Sequence, residues 1–400
     1  MKRFTFRGGT HLNEHKDTAA LSTERLPEPA SVSIPLSQHI GAPATPVVKV
    51  GDSVKIGQKL GEVAGGLGCP VHASVSGTVR AIVTRRNAMG TPVTNIVIEN
   101  DGLRTMDDSM KPIAKPLAKA TPEEIVEIVR EAGISGLGGA TFPTYAKIQS
   151  AMGKANLVIV NCAECEPYLT ANHRLLLERG EIVISGMEIV MRALGVTEGI
   201  LAVEDNKPDA IRLLEDRLKR REGLERGTNL RVCVLRTKYP QGDERQLVAA
   251  LLGREIPAGK LPADVGCMIL NAETAAAISR AYWRGLPLTS HRHGDGRLRA
   301  ESEERPRPAR RVGAGSHHLL RRTDQNAEED DLGRTDDGLC ALGSRNAGFQ
   351  EYVGSASLLG GSRQAHNRPF TLHSLRQMRF ALPHAPDAEL PCGLRGGKGV

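Results

Sequence analysis

The spacing of apolar positions changes twice along this chain. Over residues 31–100 apolar and polar residues partly alternate, as in PVVKVGD (46–52) and VSGTVRAI (75–82), with turns at Gly51-Asp52 and around Gly57. That spacing predicts short β segments. From residue 121 the period lengthens: Ile125, Val126, Ile128 and Val129 fall on one helical face. Thr121-Pro122-Glu123-Glu124 supplies a capping box with Pro at the first helical position, and Gly133 stands where a C-cap belongs. Apolar runs at 157–160, 200–203, 230–235 and 268–270 then alternate with helical patterns at 181–194, 208–221 and 244–252. Strand and helix in turn predict a parallel, Rossmann-like α/β sheet, which takes ligands at the C-terminal ends of its strands.

Composition sets limits on this picture. At 40% hydrophobic and 25% charged, the 400 residues suit a soluble protein of two or three domains. No apolar run reaches the ~18–20 residues of a membrane span, and MKRFTFRGGTHLNEHK lacks the apolar core of a secretory signal. Seven scattered cysteines make no disulfide framework and point to a reducing cytoplasm. A net charge of +7 tolerates acidic partners, but an aromatic content of 3% offers few platforms for bases, which argues against nucleic acid. Past residue 290 the chain changes character: residues 291–400 hold 16 Arg but one Lys, seven of the twelve His, three Val and no Ile. Without β-branched residues or a helical period this stretch predicts a disordered tail. The organisation is therefore an arm (1–30), a β module (31–100), an α/β domain (115–290) and a tail (291–400).

Candidate chemistry gathers at the predicted strand ends. The glycine cluster GLGGATFPT (136–144) lets backbone N–H groups approach a phosphate, with Pro143 opening the next helix and Lys147 one turn into it. The same cluster also reads as a tight connection. After the 157–160 strand comes NCAECEPY, whose Asn161, Glu164 and Glu166 suit hydrogen bonds to a ribose or a ring nitrogen; the alternative is an acidic loop that caps the following helix. Cys162 and Cys165 have C-x-x-C spacing, but no second pair lies near, and flanking carboxylates raise thiol pKa values. Glu204-Asp205-Asn206, Lys238 to Gly242 and Asn271 to Thr274 occupy the corresponding place on other strands.

Several of these segments carry family resemblances. VKVGDSVKIGQ (48–58) and PVHASVSGTV (70–79) resemble the barrel-sandwich module of biotinyl and lipoyl carriers, yet the intervening GEVAGGLGC (61–69) lacks the lysine that carries their cofactor. Those segments together with FRGGTH (6–11), IPLSQHIGAP (34–43), GLGGATFPT, NCAECEPYLTANHRLLLE, EDNKPDAI, TKYPQGDERQL and LPADVG resemble the RnfC component of Rnf/Rsx-type ion-translocating electron transport complexes. More distantly, GLGGATFPT and NAET (271–274) are similar to the flavin-bearing, NADH-binding component of respiratory complex I, which has Gly where Thr141 stands. The resemblance implies FMN cradled by Gly136, Gly138, Gly139, Thr141 and Phe142, with charge from Lys147. NAD(H) would lie beside it, with Asn161, Glu164 and Glu166 near nucleotide or flavin. It also implies partners in the rest of the Rnf membrane complex, NADH or ferredoxin as redox partner, and a peripheral place on the cytoplasmic side of the inner membrane. The alternatives are a protein like the NqrA component of sodium-translocating NADH:quinone reductase and a non-catalytic docking module.

Intact family members continue into a region binding two [4Fe–4S] clusters through C-x₂-C-x₂-C-x₃-C-P runs; this chain has none, so its metal-ligand set is empty. Read one base later with free choice of synonymous codons, LHSLRQMRFALPHA (372–385) permits CIRCGKCVSPCPM. Two further tail segments likewise permit family-like strings in the expected order. The sequence thus predicts a frame change near Ser290–His291, which resequencing the coding DNA across those codons would test.

Overall fold

The computed structural model describes residues 2–289 apart from 24–26, 88–89, 114 and 222–226. The tail expected to be out of frame and disordered lies outside the described residues.

The arm contributes one short strand, β1 (Arg3–Phe4). Seven strands follow: β2 (Ser31–Pro35), β3 (Thr45–Pro46), β4 (Ser53–Val54), β5 (Lys59–Glu62), β6 (Val71–His72), β7 (Gly77–Arg86) and β8 (Pro92–Asn100). They form two antiparallel sheets, in the orders β2-β8-β7-β4 and β3-β5-β6. The two sheets close over Val32, Ile34, Leu36, Val54, Leu60, Val79, Ile96 and Ile98, which gives the expected sandwich. The segment between β5 and β6 is where carriers display a cofactor; here its tip at 64–66 is exposed and the stretch 68–70 turns inward. Cys69 is fully buried, its amide donates to His39 Nε2 at 2.9 Å, and the Cβ direction of Gly133 meets the Pro70 carbonyl. The module is therefore seated on the α/β domain by the stretch that leads from this tip into β6.

The second part runs α1 (Pro122–Glu131), α2 (Thr144–Ala151), β9 (Leu157–Asn161), α3 (Ala171–Leu194), β10 (Glu198–Glu204), α4 (Pro208–Arg221), β11 (Asn229–Leu235), α5 (Glu244–Leu252), β12 (Cys267–Asn271) and α6 (Ala272–Arg284). The capping box at Thr121 forms as its sequence requires: Thr121 Oγ1 accepts from the Glu124 amide, and the Glu124 carboxylate accepts from the Thr121 amide. Pro143 takes the N-cap position rather than the first helical one. The α3 helix begins ten residues before the predicted start, kinked at Arg179, whose φ of −142° lies beside Gly180. That glycine hides the first half of the helix from a periodicity reading.

All pairs in the five-stranded sheet are parallel, in the order β1-β11-β10-β9-β12. Its strands are apolar on both faces, as parallel strands covered on both sides must be. Val158, Val160, Leu201, Val203, Met268 and Leu270 pack in the cluster that α1, α2, α3, α4 and α6 share. Leu157, Ile159, Ile200, Ala202, Leu235 and Ile269 pack on the other side with Leu247 and Val248 of α5, and Phe4 of the arm against them. The chain steps outward from β9 to β10 to β11, then returns to place β12 on the far side of β9. That reversal opens a crevice between the C-terminal ends of β9 and β12, where such sheets take their ligands.

Candidate functional site

The crevice is framed by a matched pair of asparagines. Asn161 ends β9 and Asn271 ends β12, and the two are register partners. Each makes the same local turn: Asn161 Oδ1 accepts from the Ala163 amide at 3.1 Å, and Asn271 Oδ1 from the Glu273 amide at 2.8 Å. The turns send the two chains apart, one into the acidic loop and the other into α6.

The glycine loop arrives at this point from the end of α1. Its neck is closed by backbone bonds, Gly136 N to Phe142 O and Thr144 N to Ile134 O, both 2.9 Å. Its body is fixed from two directions. Leu137 N donates to Thr274 Oγ1 on α6 at 2.9 Å, and Ile40 N of the β module donates to the Thr141 carbonyl at 3.2 Å. A Cβ on Gly138 would lie 2.7 Å from Asn271, so only glycine lets the loop approach β12 this closely. Gly139, at φ 156°, faces open space. Thr141 is buried at φ 46°, a left-handed conformation that costs a β-branched residue of order 1–2 kcal/mol. Residues 137–140 turn tightly beside this open ground, and among the described residues the amides of Gly138, Gly139 and Ala140 bond to no other element. Backbone amides in such a turn can line a concavity for an anion.

The acidic loop is built differently. Glu164 is 4% exposed, and its carboxylate accepts from the amides of Asn172 at 2.7 Å and His173 at 3.2 Å. It therefore caps α3, the alternative that the sequence left open for this loop. Asn161 is occupied in the same way, since its Nδ2 donates to the Gly242 carbonyl at 2.8 Å. Lys147 is held by the Glu244 carboxylate at the start of α5. Of the predicted acidic pair, Glu166 is the one with a carboxylate not committed to another element. It is half-buried, and its pKa is raised: burial does most of this and the Glu204 and Glu164 carboxylates add to it, against the opposing pull of its own backbone amide and the Lys16 ammonium. Phe142, also half-buried, completes the set expected from the glycine loop.

Cys162 and Cys165 are free thiols whose pKa values burial pushes up. No group of three His, Cys, Asp or Glu residues among the described residues could hold a metal ion. No described helix is long and apolar enough to cross a membrane.

At the ends of β10 and β11 the polar residues converge as the sequence suggested, mostly on one another. Glu204 and Lys207 form a buried ion pair at 2.8 Å, and Glu204 Oε2 also accepts from the Glu164 amide at 2.9 Å. Burial alone would lower the Lys207 pKa, but Glu204 and Glu164 outweigh it and raise the ammonium above its ordinary value. Gln241 is fully buried with neither end of its amide partnered, and Glu204 Oε1 is also unpartnered, so hydrogen-bonding capacity remains at this edge.

The arm was the part of the site that sequence reasoning missed. Lys16 donates to the carbonyls of Glu164, Glu166 and Leu169, and Lys238 donates to those of Phe6 and Gly8. The one available signal was FRGGTH, which carries a family resemblance but no chemistry of its own.

Known proteins bear on both parts. Residues 4–103 match the family model described as the RnfC barrel sandwich hybrid domain, and residues 129–280 that of the Nuo51 FMN-binding domain. The RnfC-type component of the Na(+)-translocating ferredoxin:NAD(+) oxidoreductase complex of Acetobacterium woodii is 46% identical over 294 residues, which cover 72% of this chain and 64% of that one. Its counterpart in the proton-translocating complex of Clostridium ljungdahlii is 42% identical over 286 residues, 71% of this chain and 61% of that one. The corresponding component of the ion-translocating oxidoreductase complex of Rhodobacter capsulatus is 40% identical over 294 residues, 72% and 55% of the respective chains. The chain thus spans between 55% and 64% of the length of these relatives.

Proposed function

We infer that this chain, a homologue of the RnfC component of Rnf complexes, binds FMN at its glycine loop and exchanges electrons there with NAD(H). The observation that carries the reading is the loop itself. A glycine-rich turn, Gly138 to Thr141, stands against the end of β12 beside open space, inside the segment that matches a flavin-domain family. Bound there, a flavin accepts a two-electron hydride and releases electrons singly.

The chain's own residues do the holding. The amides of Gly138 to Thr141 would take the phosphate, and Asn271 and Thr274 keep the loop against β12. Phe142 would border the ring. The Glu166 carboxylate, which no other element occupies, would meet nucleotide or flavin, while Glu164 and Asn161 position the loop that carries it. Lys147, tied to Glu244, would add positive charge to the same neighbourhood. In a complete complex the electrons would pass to iron–sulfur centres and membrane partners, with ferredoxin as the other redox partner. The 400-residue chain lacks the cysteine run for two [4Fe–4S] clusters, so it should bind flavin without passing electrons through clusters of its own.

The test uses the full chain. FMN titrated into it should lose fluorescence with one-to-one stoichiometry, and NADH under anaerobic conditions should bleach the bound flavin. Gly139→Val, which fills the open ground, should weaken FMN binding by about tenfold or more, a loss of ~1.4 kcal/mol. Anaerobic reconstitution with iron and sulfide should give no cluster absorbance. Failure to bind FMN, or unchanged binding by Gly139→Val, would remove the flavin assignment.

A further inference from the structure

The arm grips the backbone of the acidic loop with one ammonium. Lys16 Nζ donates to three main-chain carbonyls, Glu164 at 2.8 Å, Glu166 at 2.8 Å and Leu169 at 2.6 Å. Those carbonyls belong to one turn of backbone, so the ammonium closes the loop on itself. Hydrogen bonds from a charged donor are about twice as strong as neutral ones, and three on one nitrogen use its full donor capacity.

Neighbouring contacts hold the same loop from the same segment of the arm. The Tyr168 amide donates to the Glu14 carbonyl at 2.9 Å, Thr18 and Thr170 share a hydrogen bond of 2.9 Å, and Asn206 Nδ2 donates to Glu14 Oε2 at 2.6 Å. The rings of His15 and Tyr168 stack at 4.9 Å, nearly parallel at 9°. Both residues have left-handed backbones, at φ 46° and 69°. Such conformations persist where the surroundings over-determine them and collect at functional sites.

We propose that Lys16 is a positioning residue for the dinucleotide side of the site: it fixes the 164–169 loop, and with it the Glu166 carboxylate, while leaving the glycine loop untouched. This rests on the flavin and NAD(H) reading above. The separation of roles follows from the contacts. Lys16 directs its three hydrogen bonds to the acidic loop, whereas the glycine loop is fixed by Thr274 and Ile40. Lys16 is also the one ammonium that opposes burial at Glu166, beside that residue's own amide, while the Glu164 and Glu204 carboxylates act with burial. Removing it should loosen the loop and let the carboxyl hold its proton to higher pH.

The experiment compares the wild-type chain, Lys16→Met and Lys16→Arg in NADH oxidation by the FMN-loaded protein with ferricyanide as acceptor. Lys16→Met should raise KM for NADH by about tenfold, the equivalent of ~1.4 kcal/mol. It should leave FMN affinity within about twofold and move the acid limb of kcat/KM to higher pH. Lys16→Arg, which keeps the charge, should restore the acid limb and part of the affinity. Unchanged KM and pH profile in Lys16→Met would overturn the proposal, as would equal losses of FMN and NADH binding. If Lys16→Met does not fold, Lys16→Arg decides alone: a raised KM for NADH with the acid limb unchanged is expected, and a KM identical to wild type despite the larger, planar head group would overturn a site built around three carbonyls. A wild-type chain that takes up no FMN would instead sink the flavin reading and leave the arm's contacts in place.

Discussion

Two loops meet at the carboxyl edge of the sheet, and they are constructed on opposite plans. The glycine loop carries no charged side chain between Gly136 and Thr144, and is fixed from outside by Thr274 and Ile40. The acidic loop is rich in polar groups, yet many are already committed: the Glu164 side chain to the amides of α3, that of Asn161 to Gly242, and three main-chain carbonyls to Lys16. A cluster of charged residues in a sequence therefore need not be the part that meets a ligand. Here the loop poor in functional groups has the capacity left to bind one.

The sharpest way to break this contrast is to remove the Glu164 carboxylate. Glu164→Ala leaves two buried amides at the start of α3 without acceptors, which should cost about 2–4 kcal/mol in a urea unfolding measurement. Glu164→Gln keeps one acceptor and should cost about half. A loss below about 0.5 kcal/mol in the alanine variant would mean that the carboxylate is not a structural cap.

In the glycine loop the corresponding change adds atoms instead of removing them. Gly138→Ala drives a methyl group against Asn271, and overpacking of this kind should cost about 1–3 kcal/mol. Because Asn271 also turns the chain into α6, FMN affinity should fall with stability, readable in one thermal melt with and without FMN. Equal melting temperatures for the variant and the wild type would show that the loop does not need its close approach to β12.

The seat of the glycine loop on the β module gives a pH-dependent effect of intermediate size. His72 is buried beside Gly133, and burial pushes its pKa from 6.5 down to about 3, with Lys59 adding to the effect. Between those values the unfolded chain binds a proton that the folded chain refuses, so stability rises with pH across this window and is lost as pH falls from 6.5 towards 3. Moving from pH 7 to pH 5 should cost about 2 kcal/mol through this group, and His72→Leu should flatten the slope by that amount. A slope unchanged in the leucine variant would assign the acid sensitivity elsewhere.

The smallest effect belongs to the ion pair between Lys59 on the module and Glu131 on α1, at 2.6 Å. Both side chains are partly exposed, so Lys59→Met should cost ~0.2–1 kcal/mol, and the difference should vanish in high salt.

Much of the fold was legible because it follows from short-range rules. The Thr121 capping box, Pro208 at the start of α4 and Gly253 after α5 mark helix ends within a turn of the residues they serve. Near-continuous apolar runs sufficed for β9 to β12. The first half of α3 was lost because Gly180 and the kink at Arg179 interrupt its period. At the site, the glycine cluster and the strand ends were visible, but which carboxylate is committed was not. Glu164 and Glu166 are two residues apart in one motif, and only the position of the α3 N-terminus distinguishes them. Lys16 was invisible for a different reason: 148 residues separate it from the first carbonyl it holds, and no local spacing encodes such a partner.

The pairing of Arg3 with Val234 has a consequence for how the molecule assembles. The arm's strand has no partner to join until β11, far along the chain, has formed, and closing so long a loop is entropically slow. Weakening the arm's docking should therefore leave refolding rates nearly unchanged and accelerate unfolding, because contacts formed after the barrier act on escape from the native state.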